Sequence, residues 1–165
     1  MKKALAVTVL AALTAFAAQQ RPPAPTTPAF EKMKSLVGEW KATVPGMGEV
    51  HSSYSLKSGG SSILEEIIEP DGTSMVTVYY PQNGGVAMTH YCSAHNQPHM
   101  FAKLDGTSNT LTYKMTSIDN LTSPADAHMS GVTYTFKDND HFSAAWNLEM
   151  NGKGDAHPFE YVRVK

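Results

Sequence analysis

The sequence predicts an all-β protein, an antiparallel up-and-down β-barrel of about ten strands with a short helix before the first strand. Short runs of alternating apolar and polar residues follow one another from Gly38 onward, which is the period of strands with one buried face. Turn-forming residues such as Pro70-Asp71-Gly72 and Asn83-Gly84-Gly85 separate the runs. Connections this short allow only antiparallel pairing, and closing the sheet removes its exposed edges. A β-sandwich is the alternative that the pattern leaves open.

The strand-like runs and the helix can be placed along the chain. Phe30, Met33, Leu36 and Val37 recur at helical spacing after a proline, so a helix of two turns is expected there. The strands are expected at residues 39–44, 49–56, 62–69, 73–80, 86–93, 99–104, 110–118, 128–137, 141–150 and 156–164.

Residues 1–18 have the layout of a secretory signal peptide. Two lysines precede an uncharged apolar run at residues 4–18, and Ala15-Phe16-Ala17 offers small residues for cleavage near its end. The run is shorter than the roughly 20 residues of a membrane-spanning helix, so no transmembrane segment is predicted. The single cysteine, Cys92, is far from the cleavage site, so no lipid anchor is expected. We therefore expect a soluble bacterial protein exported to the periplasm or the medium.

Residues 19–29 are expected to form a proline-rich linker, and residues 30–165 the barrel domain. The chain has 13 Lys and Arg against 15 Asp and Glu, and losing Lys2 and Lys3 with the signal peptide would move the net charge from −2 to −4. This balance argues against nucleic acid as a partner, since phosphates require a basic surface. A lone cysteine cannot form an internal disulfide, so the core must hold the fold.

Alternation assigns one face of the strands to the barrel interior, including Val50, Tyr54 and Leu56 of the second run. This face is rich in aromatic residues and methionine, which suits a packed core or a cavity for an adaptable apolar ligand. The first hypothesis is a non-catalytic protein that holds a small apolar molecule inside the barrel. His90 and His128 would supply orienting polar contacts. The predicted lining is Tyr79, Met88, Tyr113, Met115, Tyr134 and Trp146.

A cluster of metal-competent side chains supports a second hypothesis. His90, Cys92, His95 and His99 lie within ten residues, and all are competent zinc or copper ligands. His90 and Cys92 point to the same side of a regular strand, and His128 would face them across the barrel. Under this hypothesis the protein depends on a metal ion or a haem, with or without enzymatic activity, and these three residues hold the group. The spacing matches no standard zinc motif, however, and ordinary core packing of the same residues remains the alternative.

The sequence supports no catalytic set, although it leaves catalysis open. Glu65 and Glu66 are adjacent on a strand and point to opposite faces, so they cannot act as paired carboxylates. The inward glutamate is expected to need a partner such as Arg163, Lys114 or His90, and to serve either as a ligand contact or as one half of a structural pair. No Gly-x-Ser-x-Gly motif occurs.

A third hypothesis is a packed barrel that serves as a protein-interaction module.

The longest connection after the first strand, residues 119–127, is expected to be either a lid over the open end of the barrel or a plain surface loop. The sequence does not indicate the oligomeric state or the identity of a ligand.

Residues 30–40, Phe-Glu-Lys-Met-Lys-Ser-Leu-Val-Gly-Glu-Trp, resemble the opening of lipocalins and fatty-acid-binding proteins, which form the calycin superfamily. In those families a Gly-x-Trp starts the first strand, and a basic residue of the last strand packs over the tryptophan. The resemblance implies these roles for Gly38, Trp40 and Arg163. A guanidinium stacks well on an indole face, so the arrangement is physically sound.

Residues 89–100 are similar to a family of exported bacterial lipocalin-like proteins that carries no established ligand or reaction, so this resemblance implies the architecture alone. The nitrobindins are ten-stranded barrels of similar appearance that bind haem through a histidine near the C-terminal end. His157 is the nearest candidate for such a haem ligand, but Pro158 follows it and the surroundings do not reproduce that site.

Overall fold

The structure, a computed structural model, describes residues 22–165. The predicted signal peptide and the beginning of the linker lie outside the described residues, so both stay predictions. Within residues 22–165, no helix has the length and apolar character needed to cross a membrane.

The chain forms one helix followed by ten strands. The helix α1 spans Pro28–Lys34. The strands are β1 (Gly38–Val44), β2 (Gly48–Lys57), β3 (Ser62–Ile68), β4 (Ser74–Gln82), β5 (Gly85–Tyr91), β6 (Gln97–Ala102), β7 (Thr110–Asp119), β8 (His128–Phe136), β9 (His141–Met150) and β10 (Lys153–Arg163). A short 3₁₀ turn, Ser58–Gly60, joins β2 to β3. All ten predicted runs coincide with strands, and the largest difference is that β10 begins three residues before the expected residue 156.

The strands close into a single antiparallel barrel. Each strand pairs with its neighbours in sequence, and β1 pairs with β10 to complete the circle. At this closure Trp40 lies opposite Arg163 and Ala42 lies opposite Tyr161. The prediction of a closed antiparallel barrel is confirmed, and the β-sandwich is excluded.

Helix α1 closes the end of the barrel where β1 begins. Thr27 caps the helix, because its side chain accepts a hydrogen bond from the backbone N–H of Phe30 at 3.1 Å. The same hydroxyl donates to the carbonyl of Gly85, at the start of β5, at 2.9 Å. Phe30 and Met33 are fully buried. The apolar face of the helix therefore serves as a plug for this end.

The interior follows the predicted alternation with one error. Leu56 was assigned to the interior and is 46% exposed, because it lies at the end of β2, next to the turn that leads to β3. Strand β3 has apolar residues on both faces, so the sequence did not indicate which face points into the barrel. The structure places Ile63, Glu65 and Ile67 inside.

Candidate ligand-binding site

The end of the barrel beneath α1 is sealed by Arg163. Its guanidinium lies 4.0 Å from the centroid of the Trp40 ring. It donates hydrogen bonds to the carbonyls of Ser35 and Val37 at 3.0 Å each and of Asn139 at 2.8 Å. The Trp40 indole N–H donates to the Leu36 carbonyl at 2.6 Å. The Arg163 guanidinium therefore links three segments above the Trp40 ring: the residues that follow α1, the last strand and the turn before β9.

Gly38 makes this seal possible. Its φ is +133°, and a Cβ added there would lie 2.6 Å from Nη1 of Arg163. Only glycine adopts such a backbone conformation without strain. The residue is therefore required both for its conformation and for the close approach of the guanidinium.

The opposite end of the barrel contains a cavity of about 270 Å³. Its walls come from the ends of several strands and from the turns that follow β1, β3 and β5. The lining residues are Met47, Val50, Ile67, Glu69, Met75, His90, Cys92, Ser93, Ala94, Met129, Trp146, Leu148, His157, Phe159 and Tyr161.

Most of this lining is apolar and adaptable. Three methionines, Met47, Met75 and Met129, contribute to the wall, and methionine follows the shape of a ligand more readily than branched side chains do. An apolar cavity of about 150 Å³ is enough to hold benzene. A volume of 270 Å³ therefore suits a molecule somewhat larger than benzene, with polar contacts at few positions.

His90 is the most buried polar side chain of the lining. It is 1% exposed, and its ring lies against Trp146 with the ring centroids 4.9 Å apart. Its Nδ1 is 2.9 Å from the hydroxyl of Thr77, while Nε2 is buried without a hydrogen-bond partner in the described part of the chain. Burial lowers the pKa of His90 from 6.5 to about 4. A neutral imidazole with one unused hydrogen-bonding nitrogen therefore forms part of the cavity wall.

The mouth of the cavity carries an acidic side chain and a thiol. Burial, and then the neighbouring charge of Asp71, raise the pKa of Glu69 above its ordinary value of 4.5. Cys92 is half-buried, and the backbone N–H of Ala94 points at its sulfur from 3.5 Å. No Lys or Arg lines the cavity among residues 22–165. The polar side chains that line the cavity are therefore neutral or acidic.

A network of tyrosines around Glu65 fills the barrel interior. Glu65 is 1% exposed and accepts hydrogen bonds from the hydroxyls of Tyr54 and Tyr79, each at 2.5 Å. The Tyr79 and Tyr134 hydroxyls are 2.7 Å apart. Desolvation raises the pKa of Glu65, although the surrounding hydroxyls act to lower it. The predicted pairing with Arg163, Lys114 or His90 was wrong, because phenols on the inner faces of β2 and β4 satisfy the carboxyl group without an opposite charge.

Two of the eight predicted ligand contacts, His90 and Trp146, line the cavity. Tyr79 and Tyr134 belong to the Glu65 network. The remaining predicted contacts, Met88, Tyr113, Met115 and His128, are buried or half-buried outside the cavity lining. Sequence reasoning did not identify the three cavity methionines as ligand contacts.

The structure separates the three predicted metal ligands. His90 and Cys92 line the same cavity and His128 does not; Nδ1 of His128 lies 2.8 Å from the Asp126 carbonyl. Within residues 22–165, no three His, Cys, Asp or Glu side chains are grouped closely enough to hold a metal ion. His157, the candidate haem ligand, is an exposed residue of the cavity lining, and haem binding stays a prediction.

The connection between β7 and β8 is held beside the open end. Asn96 donates to the Ala127 carbonyl at 2.9 Å, and the N–H of Asn151 donates to the Ala125 carbonyl at 3.0 Å. Asp126 accepts bonds from the Thr122 hydroxyl and the Ser123 N–H. Residues 119–127 contribute nothing to the cavity lining, so a role as a lid stays a prediction.

Comparison with known proteins bears on the fold. No protein-family model and no curated protein sequence matches the chain. Among solved structures, the crystal structure of Rv2717c from M. tuberculosis is similar, with a TM-score of 0.60 and 14% sequence identity over 86% of this chain and 100% of that one. At this identity the likeness shows a shared barrel fold.

Proposed function

We propose that this chain is an exported, calycin-like barrel protein that binds a small apolar molecule reversibly and without catalysis. The observation that carries the proposal is the 270 Å³ cavity at the end of the barrel opposite α1, with a lining dominated by methionine, aromatic and aliphatic side chains.

The distribution of packing supports a binding role over a purely packed interaction module. Beneath α1 the interior is filled by Phe30, Met33 and Trp40, all at most 1% exposed. The other end has adaptable side chains around an unfilled volume. Because unfilled apolar volume forfeits packing energy, a barrel that serves only as a scaffold gains nothing from keeping it.

Naphthalene is a suitable first probe, because it is apolar, uncharged and somewhat larger than benzene. Binding can be followed by ligand-observed NMR. It can also be followed by the rate at which iodoacetamide alkylates Cys92, which lines the cavity. We expect naphthalene to bind and to slow the alkylation, because an occupied cavity restricts access to the thiol.

A matched pair of variants assigns the binding to the cavity. Leu148→Trp should fill part of the cavity and weaken naphthalene binding at least about tenfold. Val162→Trp makes a bulky change on the outer face, where Val162 is 45% exposed, and should leave binding unchanged. No binding of naphthalene to the wild-type protein, or equal binding to both variants, would overturn the proposal.

A soft metal ion is a second candidate ligand. Met75 on β4, His90 on the neighbouring β5 and Cys92 just after it line the same cavity. Thioether, thiolate and imidazole together favour Cu(I). Competition with bicinchoninate under reducing conditions tests this candidate. Cys92→Ser should abolish Cu(I) retention, whereas His128→Ala should not. If the wild-type protein fails to retain Cu(I), this candidate is excluded.

A further inference from the structure

We propose that the cavity selects an uncharged ligand bearing a hydroxyl group, an alcohol or phenol, and discriminates against the carboxylate of the same size. The inference rests on the proposed function and names the chemical class of its ligand. The observations that carry it are the unpartnered nitrogen of His90, the acidic residue at the mouth and a lining without cations.

The unused Nε2 of His90 requires a particular kind of partner. A neutral imidazole has one N–H and one lone pair, and the Thr77 hydroxyl occupies the Nδ1 side at 2.9 Å. Nε2 is therefore a donor in one tautomer and an acceptor in the other. A hydroxyl group satisfies both tautomers, because it donates and accepts, whereas a carboxylate only accepts.

The charges around the cavity disfavour an anion. The lining contains Glu69 and no Lys or Arg among residues 22–165. Burial keeps His90 neutral at pH 7, so it supplies no positive charge to a bound carboxylate. A carboxylate that enters would lose its hydration and gain no opposite charge.

Three compounds with one ring system test the proposal: naphthalene, 2-naphthol and 2-naphthoate, titrated by calorimetry at pH 7.5. We expect 2-naphthol to bind about fivefold more tightly than naphthalene, which corresponds to one net hydrogen bond. We expect 2-naphthoate to bind at least about tenfold more weakly than 2-naphthol, because its charge is desolvated without a partner.

Two variants assign the selectivity to named residues. His90→Phe keeps an aromatic ring against Trp146 but removes the nitrogen, so the ratio of 2-naphthol affinity to naphthalene affinity should fall from about fivefold to about one. Glu69→Gln should improve 2-naphthoate binding several-fold, because it removes the like charge at the mouth. If His90→Phe does not fold, the imidazole ¹⁵N shifts of His90 in the wild-type protein replace it, and they should respond to 2-naphthol but not to naphthalene.

The outcomes distinguish this inference from the proposed function. If naphthalene binds and 2-naphthoate binds as tightly as 2-naphthol, the inference is overturned and the proposed function stands. An unchanged His90 ¹⁵N spectrum on binding of 2-naphthol also overturns the inference. If none of the three compounds binds, the proposed function itself is overturned.

Discussion

Replacing Arg163 by methionine removes every hydrogen bond of the guanidinium while keeping much of the apolar stem over Trp40. Three backbone carbonyls lose their donor. At about 1 kcal/mol net for each bond, together with about 0.5–1 kcal/mol for the stacking on Trp40, the change should cost about 3–4 kcal/mol of unfolding free energy. For a domain of this size that corresponds to a fall in Tm of roughly 10 °C.

Urea unfolding measures the cost, with tryptophan fluorescence as the readout because Trp40 lies directly beneath the guanidinium. Lys165→Met is the matched control. Arg163 and Lys165 both form an ion pair with Asp140, at 3.6 and 3.1 Å. The Lys165 side chain is 79% exposed, so its loss should cost less than about 1 kcal/mol. The reasoning is refuted if Arg163→Met is no more destabilising than Lys165→Met, since the seal would then contribute only as an exposed ion pair.

Three further predictions concern buried titratable groups and the seal. Because burial holds the pKa of His90 at about 4 against 6.5, the unfolded chain binds more protons between these values, and stability should fall by about 3 kcal/mol as the pH drops from 6.5 to 4. His90→Gln should lack this fall in urea midpoints, and an identical fall in the variant would contradict the assignment. Glu65 has the opposite sign: its pKa is raised from 4.5, so its contribution is complete below pH 4.5 and declines as the pH rises through the higher folded-state pKa. Glu65→Gln should remove that decline, and a variant that retains it would show that another group is responsible. In Gly38→Ala the new Cβ would lie 2.6 Å from Nη1 of Arg163, on a backbone with a φ of +133°. This substitution should lower the free energy of unfolding by about 2–3 kcal/mol. Gly106→Ala, at a positive φ with nothing within 4 Å, should cost less, and equal costs would show that the contact contributes nothing.

The strands could be predicted from local patterns, whereas the sealed end was implied by the resemblance to lipocalins and fatty-acid-binding proteins. A strand with one buried face alternates apolar and polar residues, and short turns restrict neighbouring strands to antiparallel pairing. Gly38, Trp40 and Arg163 lie near the ends of the barrel sequence, and closure brings them together. β3 was less predictable, because Leu64 and Ile68 on its outer face are as apolar as the inward residues.

The cavity could not be placed in the same way. Alternation indicates which side chains point inward, but it does not indicate their depth along the barrel axis or whether their volumes fill the interior. Tyr79 and Tyr134 were predicted to contact a ligand, and instead they contact the Glu65 network. Met47, in the turn after β1, contributes to the lining although no strand pattern marked it.

The sequence by itself determined an antiparallel barrel and its strand boundaries to within three residues, because these depend on periodicity and turn chemistry. The roles of Gly38, Trp40 and Arg163 were implied by the resemblance to lipocalins and fatty-acid-binding proteins. Only the tertiary structure decided that Glu65 is satisfied by tyrosines, that His90 is left with an unpartnered nitrogen and that empty volume lies at the end opposite α1. Strand tilt and stagger set these features, because they determine which inward side chains from distant strands meet at the same depth.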